Sequence, residues 1–163
     1  LAVAVPMDGF HLTNAELERL GRRDRKGAPD TFDAEGYVEL LRHLKTGDGE
    51  VLYAPSFPRE ADDPLPNGIA VPGGVPLVLT EGNYLLLDGP WAAVRPILDE
   101  VWFLDPDDGT RVAGLIDRHV RFGKSLDEAR AWVERSDESN AALVAATRAR
   151  ADLIVGGWTS LDG

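Results

Sequence analysis

Pro76-Leu77-Val78-Leu79-Thr80-Glu81-Gly82-Asn83-Tyr84 decides how this chain folds. A short Leu/Val run bounded by proline and ending on an acidic residue and a glycine is too brief for a buried helix, and it reads as a strand. It shows little alternation, as expected of parallel strands covered on both faces. Residues 1–5, 101–104 and 152–155 read the same way. Helical patterns lie between the later strands. Asp33 is placed to cap a helix over 34–44, whose Tyr37, Leu40, Leu41 and Leu44 form one apolar stripe. Residues 110–120 and 126–149 are further helical stretches, the second with Ser125 as N-cap and Glu128 at the capping-box position. Strands alternating with helices predict an α/β fold with a mostly parallel sheet flanked by helices. Two stretches break the rhythm. Residues 21–31 are polar and basic, and 53–74 are rich in proline and glycine, with a short β-hairpin predicted around 69–71. Long irregular segments of this kind usually carry function.

The bulk properties narrow the classes. With 163 residues, 44% apolar and 28% charged, the chain suits one soluble globular domain. No apolar run approaches the ~18 residues that span a bilayer, and the apolar opening at residues 1–6 lacks the basic flank of a signal peptide. The net charge of −11 argues against a general nucleic-acid binder, which needs a basic surface. There is no cysteine, which removes disulfides, thiolate metal sites and thiol nucleophiles and is compatible with a cytoplasmic location. Positive charge collects in two places: Arg19, Arg22, Arg23, Arg25 and Lys26, then Arg111, Arg118, Arg121 and Lys124. Such clusters on an acidic protein suit a small polyanion such as ATP, or else are solvated helix faces balancing nearby acids.

Three motifs carry chemistry. Val5-Pro6-Met7-Asp8-Gly9-Phe10-His11 follows the first strand. In open parallel sheets ligands gather at the carboxyl ends of strands. Asp8 therefore stands where a carboxylate could orient an attacking hydroxyl and accept its proton. The bare Asp-Gly also reads as a turn with Phe10 packed beneath it. Glu81 likewise ends an apolar strand, the pattern of a carboxylate that holds Mg²⁺ directly or through water. The third motif, Arg118-His119-Val120-Arg121-Phe122-Gly123-Lys124-Ser125, ends like a phosphate-binding loop. It fails as one, because Arg118 occupies the place of the first glycine and the segment joins two helices. It reads instead as a basic lid over ATP phosphates, within a helical region around 111–135. His11, His43 and His119 show no metal-ligand spacing.

Asp8-Gly9-Phe10-His11, Arg25-Lys26-Gly27-Ala28-Pro29-Asp30-Thr31-Phe32-Asp33, Tyr53-Ala54-Pro55, Glu81-Gly82-Asn83-Tyr84-Leu85-Leu86 and Ala151-Asp152-Leu153-Ile154-Val155 occur in this order. Together they resemble the P-loop kinase superfamily of uridine kinase, phosphoribulokinase and bacterial pantothenate kinase. The likeness runs from Val3 to Val155. It implies a P-loop NTPase-like fold, ATP and Mg²⁺ as cofactors, and a small-molecule hydroxyl (nucleoside, pantothenate-like or sugar) as acceptor. It implies no nucleic-acid or membrane partner and is compatible with a homodimer. By position, Asp8 matches the catalytic aspartate near the metal, Glu81 the glutamate beside the metal, and Arg118 a lid arginine. Arg121 and Lys124 join Arg118 as phosphate-contacting residues. His11, Lys26, Asp30, Tyr53, Arg59 and Tyr84 fall in segments that line the acceptor pocket.

The resemblance also sets two expectations by departure. Relatives open with a strand and a Gly-Lys-Ser/Thr loop ahead of the segment that begins here. That strand lies centrally, between those matching 78–81 and 101–105. Its absence predicts a fragment of a longer kinase that transfers no phosphate alone. Gly114 replaces a second lid arginine, and a glycine inside a helix costs about 1 kcal/mol relative to alanine. A binding module without catalysis, or a nucleotide hydrolase without an acceptor, are the competing readings.

Overall fold

The computed structural model describes residues 2–47, 49–134 and 138–156. They gather into two compact units, Leu1–Leu98 and Asp99–Gly163. Among the described residues no helix is long and apolar enough to cross a membrane.

The first unit runs β1 (Ala2–Ala4), α1 (Asn14–Arg19), α2 (Ala34–Thr46), β2 (Leu52–Ser56), β3 (Leu65–Val71) and β4 (Leu77–Leu79). β1 and β4 pair in parallel, with Val3 opposite Val78. The pairing continues past both strands. The Val5 N–H donates to the Leu79 carbonyl at 2.8 Å, and the Met7 N–H to the Glu81 carbonyl at 2.9 Å. α2 starts where the Asp33 carboxylate accepts from the Gly36 N–H, so the N-cap read from sequence is the one used. Its stripe buries Tyr37, Val38 and Leu41. Leu40 and Leu44 pack with Val3, Ile69, Val75 and Val78 around a fully enclosed trio, Val5, Ala54 and Val71. Enclosing a residue such as Val5 is worth about 1.5–3 kcal/mol. This core fixes the carboxyl end of β1, where the chemistry-bearing residues begin.

β2 and β3 form an antiparallel hairpin with a register shift between Ala54 and Ser56. It is far longer than the hairpin expected around 69–71, because the prolines at 55 and 66 disguise strand as loop. β4 has one strand neighbour among the described residues, and its alternate side chains Leu77 and Leu79 are exposed. The expectation of strands covered on both faces is therefore corrected.

The second unit runs β5 (Trp102–Asp105), α3 (Asp108–Arg121), α4 (Leu126–Trp132), α5 (Glu138–Ala145) and β6 (Leu153–Gly156). β5 and β6 pair in parallel, and here too alternate residues, Trp102, Leu104 and Leu153, face solvent. The Ser125–Glu128 capping box forms as the sequence implied. The helix expected over 126–149 is not continuous. It divides into α4, α5 and a short turn at Arg148–Arg150, with 135–137 outside the described residues.

Candidate active site

The Met7–Phe10 stretch makes one turn of 3-10 helix directly after β1. Met7, Gly9 and Phe10 are buried and Asp8 is exposed. The Asp-Gly pair makes the turn with Phe10 packed beneath it, and that turn holds the Asp8 carboxylate out of the core. Gly9 lies against the Pro55 backbone, and a Cβ there would overlap the Pro55 carbonyl. A Cβ on Gly82 would overlap the Met7 side chain. Each strand-end carboxylate is thus followed by a glycine for its own reason: Gly9 passes against the backbone of β2, and Gly82 against Met7 where the two strand ends meet. The Met7–Glu81 backbone bond then sets Asp8 and Glu81 side by side.

A buried polar network stands behind that pair. The Thr80 hydroxyl donates to the Val5 carbonyl at 2.6 Å, and the Tyr37 hydroxyl bonds the same Thr80 oxygen. Helix α2, the end of β4 and the end of β1 are tied at one point. Leaving such a buried group unpaired would cost roughly 1–3 kcal/mol. Burial, with a smaller contribution from the charge of Glu81 and against the bond to Thr80, pushes the Tyr37 phenol up to about 12. Glu81 itself is held above the usual carboxylate range, first by desolvation of its carboxyl and then by the neighbouring charge of Asp8, while Arg59 opposes both. Part of Glu81 reaches solvent all the same. A carboxylate whose ionisation is opposed by a neighbouring carboxylate favours a proton or a cation beside it.

The pocket residues named from the resemblance separate into two groups. His11 sits beside Asp8 and its Nδ1–H donates to the Asp8 carbonyl at 2.8 Å. Its ring lies 4.0 Å from that of Phe32 and 4.6 Å from that of Phe57. Burial lowers its pKa, against the opposing backbone bond and charge of Asp8, so the ring is neutral and its Nε2 is an acceptor. Arg59 lies within electrostatic reach of Glu81. These two stand at the carboxylates. Tyr84 is buried, and its hydroxyl donates to the Gly27 carbonyl at 2.5 Å. It fixes the 27–31 loop, helped by Trp91, whose Nε1–H donates to the Pro29 carbonyl at 3.3 Å. Asp30 accepts from Arg25 at 2.7 Å and faces Arg22 at 3.6 Å. Tyr53 is exposed on β2. Lys26 is enclosed and fully engaged by Asn14 and Asp62. Sequence reasoning missed Thr80, Tyr37, Asn14, Phe57 and Asp62, although Thr80 lies within the decisive strand.

In the second unit Arg118 and Arg121 are exposed near the C-terminus of α3, and Arg121 pairs with Asp117 at 2.7 Å. The Lys124 ammonium lies 4.5 Å from the Trp132 ring centroid. Gly123, at φ +96°, turns α3 into α4, which confirms a helix–helix corner and not a strand-to-helix phosphate loop.

Fold and site define the class first: an α/β protein with a pair of acidic side chains, Asp8 and Glu81, at the carboxyl ends of adjacent parallel strands. The ATP-dependent kinase-like protein notR' of Aspergillus versicolor is 33% identical over 167 residues, covering 96% of this chain and 97% of that protein. A protein of Schizosaccharomyces pombe, named as a candidate uridine kinase, is 34% identical over 141 residues, covering 83% of this chain and 60% of its own length. Among solved structures, a candidate fructose transport system kinase from Silicibacter sp. TM1040 aligns with a TM-score of 0.87 and 37% identity, over 94% of this chain and 74% of that one. No family model matches the chain. The chain belongs to the P-loop kinase superfamily of uridine kinase, phosphoribulokinase and pantothenate kinase.

Proposed function

We propose that this chain supplies the acceptor side of an ATP-dependent phosphotransferase that acts on a hydroxyl of a small metabolite. The observation that carries the reading is the pairing of Asp8 and Glu81 at adjacent strand ends, locked by the Met7–Glu81 bond and the Thr80–Val5 bond. Asp8, exposed at the end of β1, orients the acceptor hydroxyl and takes its proton as the phosphoryl group leaves ATP. His11, neutral and pinned to the Asp8 carbonyl, offers Nε2 to the acceptor. Arg59 offsets the charge of Glu81 on the same wall.

Two carboxylates of hard oxygen suit Mg²⁺, which binds through one or two carboxylates together with waters and substrate phosphates. Among the described residues no cluster of three or more ligating side chains exists, in keeping with a metal that arrives with the nucleotide. Asp8 and Glu81 would hold it, and its chemistry would be neutralisation of phosphate charge. Arg118, Arg121 and Lys124 are the candidates for phosphate contact from the lid. The cytoplasm and a homodimer remain parts of this proposal that follow from composition and resemblance.

A coupled assay of MgATP consumption by the longer kinase that the resemblance predicts, with and without nucleosides, pantothenate and sugars, tests it. Consumption that depends on one acceptor supports the kinase. Consumption indifferent to acceptors would replace it with a hydrolase, and acceptor binding without consumption with a binding module.

A further inference from the structure

The connection between β2 and β3, residues 57–64, folds back over the first unit and reaches the carboxylate pair at two points. Phe57 lies against the His11 ring and Arg59 lies within reach of Glu81. At the centre of what holds it there is one ammonium. Lys26 Nζ donates to the Asn14 Oδ1 at 2.8 Å and to the Asp62 carbonyl at 2.5 Å, and pairs with the Asp62 Oδ1 at 3.1 Å. An ammonium has three donors, and all three are committed. The same group lies 4.9 Å from the Phe57 ring centroid. Asn14 completes the knot: its Nδ2–H donates to the Asp62 carbonyl, and its N–H to the Asp63 Oδ1, both at 2.7 Å. Arg23 adds an ion pair to Asp62 at 3.0 Å.

Asp62 adopts φ +48°, a left-handed conformation that aspartate and asparagine tolerate better than other side-chained residues. Its N–H closes a tight turn onto Pro58 at 3.2 Å. That turn aims the Asp62 carbonyl inward, at Lys26 and Asn14. The side chain of Lys26 is only 10% exposed, so the ammonium could touch a ligand only by abandoning these partners.

We infer that Lys26 is a positioning residue, which does not touch the acceptor but latches the 57–64 strap and so presents Phe57 and Arg59 to the site. The inference rests on the reading of Asp8 and Glu81 as the phosphotransfer site, and it changes the part assigned to Lys26 within it. The wall of the acceptor pocket is then a hairpin loop fastened by one buried cation.

The chain has three histidines, His11, His43 and His119, so their ring protons are resolvable by NMR, and those of His11 feel the ring current of Phe57. A Phe57→Leu variant gives the His11 shifts expected when that ring is gone. In Lys26→Met the His11 shifts move toward that reference while His43 and His119 stay. Hydrogen exchange over 57–63 speeds up by about tenfold or more, and exchange over α2 is unchanged. Asp62→Asn, which keeps the left-handed backbone and a neutral acceptor, gives the same pattern more weakly and serves if Lys26→Met fails to fold. Wild-type His11 shifts and strap exchange in both variants would overturn the latch. So would acceleration that extends equally into α2, which would make Lys26 a general stabiliser. Neither readout needs turnover, so the latch and the kinase reading stand or fall separately.

Discussion

The two basic clusters look alike in sequence and behave differently in the fold. In Arg19–Lys26 most cations are tied to acids, and several ties cross long stretches of chain: Arg23 and Lys26 reach Asp62, while Arg22 and Arg25 close on Asp30. In the second cluster the described ion pairs include two along α3, Arg111 with Asp108 and Arg121 with Asp117, and Arg118 is exposed. Charge count alone does not separate cations that tie distant segments together from cations on an exposed helix. The first cluster fastens the 23–31 and 57–64 segments, and the second holds Arg118 and Arg121 at the surface.

The largest effects are expected from the two strand-end carboxylates, Asp8 and Glu81. In the longer kinase that the resemblance predicts, Asp8→Asn is expected to lower phosphoryl transfer by roughly 10²–10⁴-fold, the usual worth of a positioned general base, with nucleotide binding little changed. Steady-state rates and MgATP titration of the same variant check it, and near wild-type turnover would remove Asp8 from the base role. Next comes the lid. Arg118→Ala should cost transfer roughly 10–100-fold, as for loss of a hydrogen bond to a charged group worth about 1.5–3 kcal/mol. It should leave the melting temperature where it was. Arg25→Ala is the counterpart from the first cluster, and a larger kinetic loss there than at Arg118 would erase the distinction between the clusters.

A third effect is structural. Gly82→Ala pushes a methyl into Met7 where the two strand ends meet, and overpacking of this kind costs about 1–3 kcal/mol. Chemical denaturation should show a lower midpoint with an unchanged slope. An unchanged midpoint would mean that the strand ends can part freely, contrary to a rigid carboxylate pair.

What could be read from sequence followed from local rules. The four parallel strands, the Asp33 cap and the Ser125–Glu128 box depend on residues within a turn of one another, and all are found. The strand-end places of Asp8 and Glu81 follow from the same logic. What escaped depends on tertiary neighbours. The prolines of 53–74 hid the length of the hairpin expected around 69–71, since nothing local says that Ala54 will face Ile69. Nothing local says either that Lys26 will meet Asp62, or that the Tyr84 hydroxyl will serve the Gly27 carbonyl instead of a ligand. Exposure of Leu77, Leu79, Trp102 and Leu104 was equally hidden, because apolar strand composition says how much a strand could bury and not what is present to bury it.

The smallest expected effect is the most specific to the carboxylate pair. The folded chain holds the Glu81 carboxyl above its ordinary value of 4.5, through desolvation and the charge of Asp8. Between that value and the raised one the folded state binds more protons than the unfolded state, so stability falls as pH rises through this window. Below pH 4.5 the contribution is fully present, and above the folded value it is lost. Glu81→Gln removes the ionisation, so it should be more stable than wild type at neutral pH and lose that advantage as the pH drops below 4.5. The gain is small because Glu81 is partly in solvent. Screened surface charges are worth ~0.2–1 kcal/mol, which for a chain of this size is at most about 2–4 °C in melting temperature. The same gain should shrink in Asp8→Asn, where one source of the repulsion is gone. Melting curves of the wild type, both single variants and the double variant, taken from pH 4 to pH 8, give the coupling directly. Additive gains would show that Asp8 and Glu81 do not feel one another, and the site would be two separate strand-end carboxylates, not a pair.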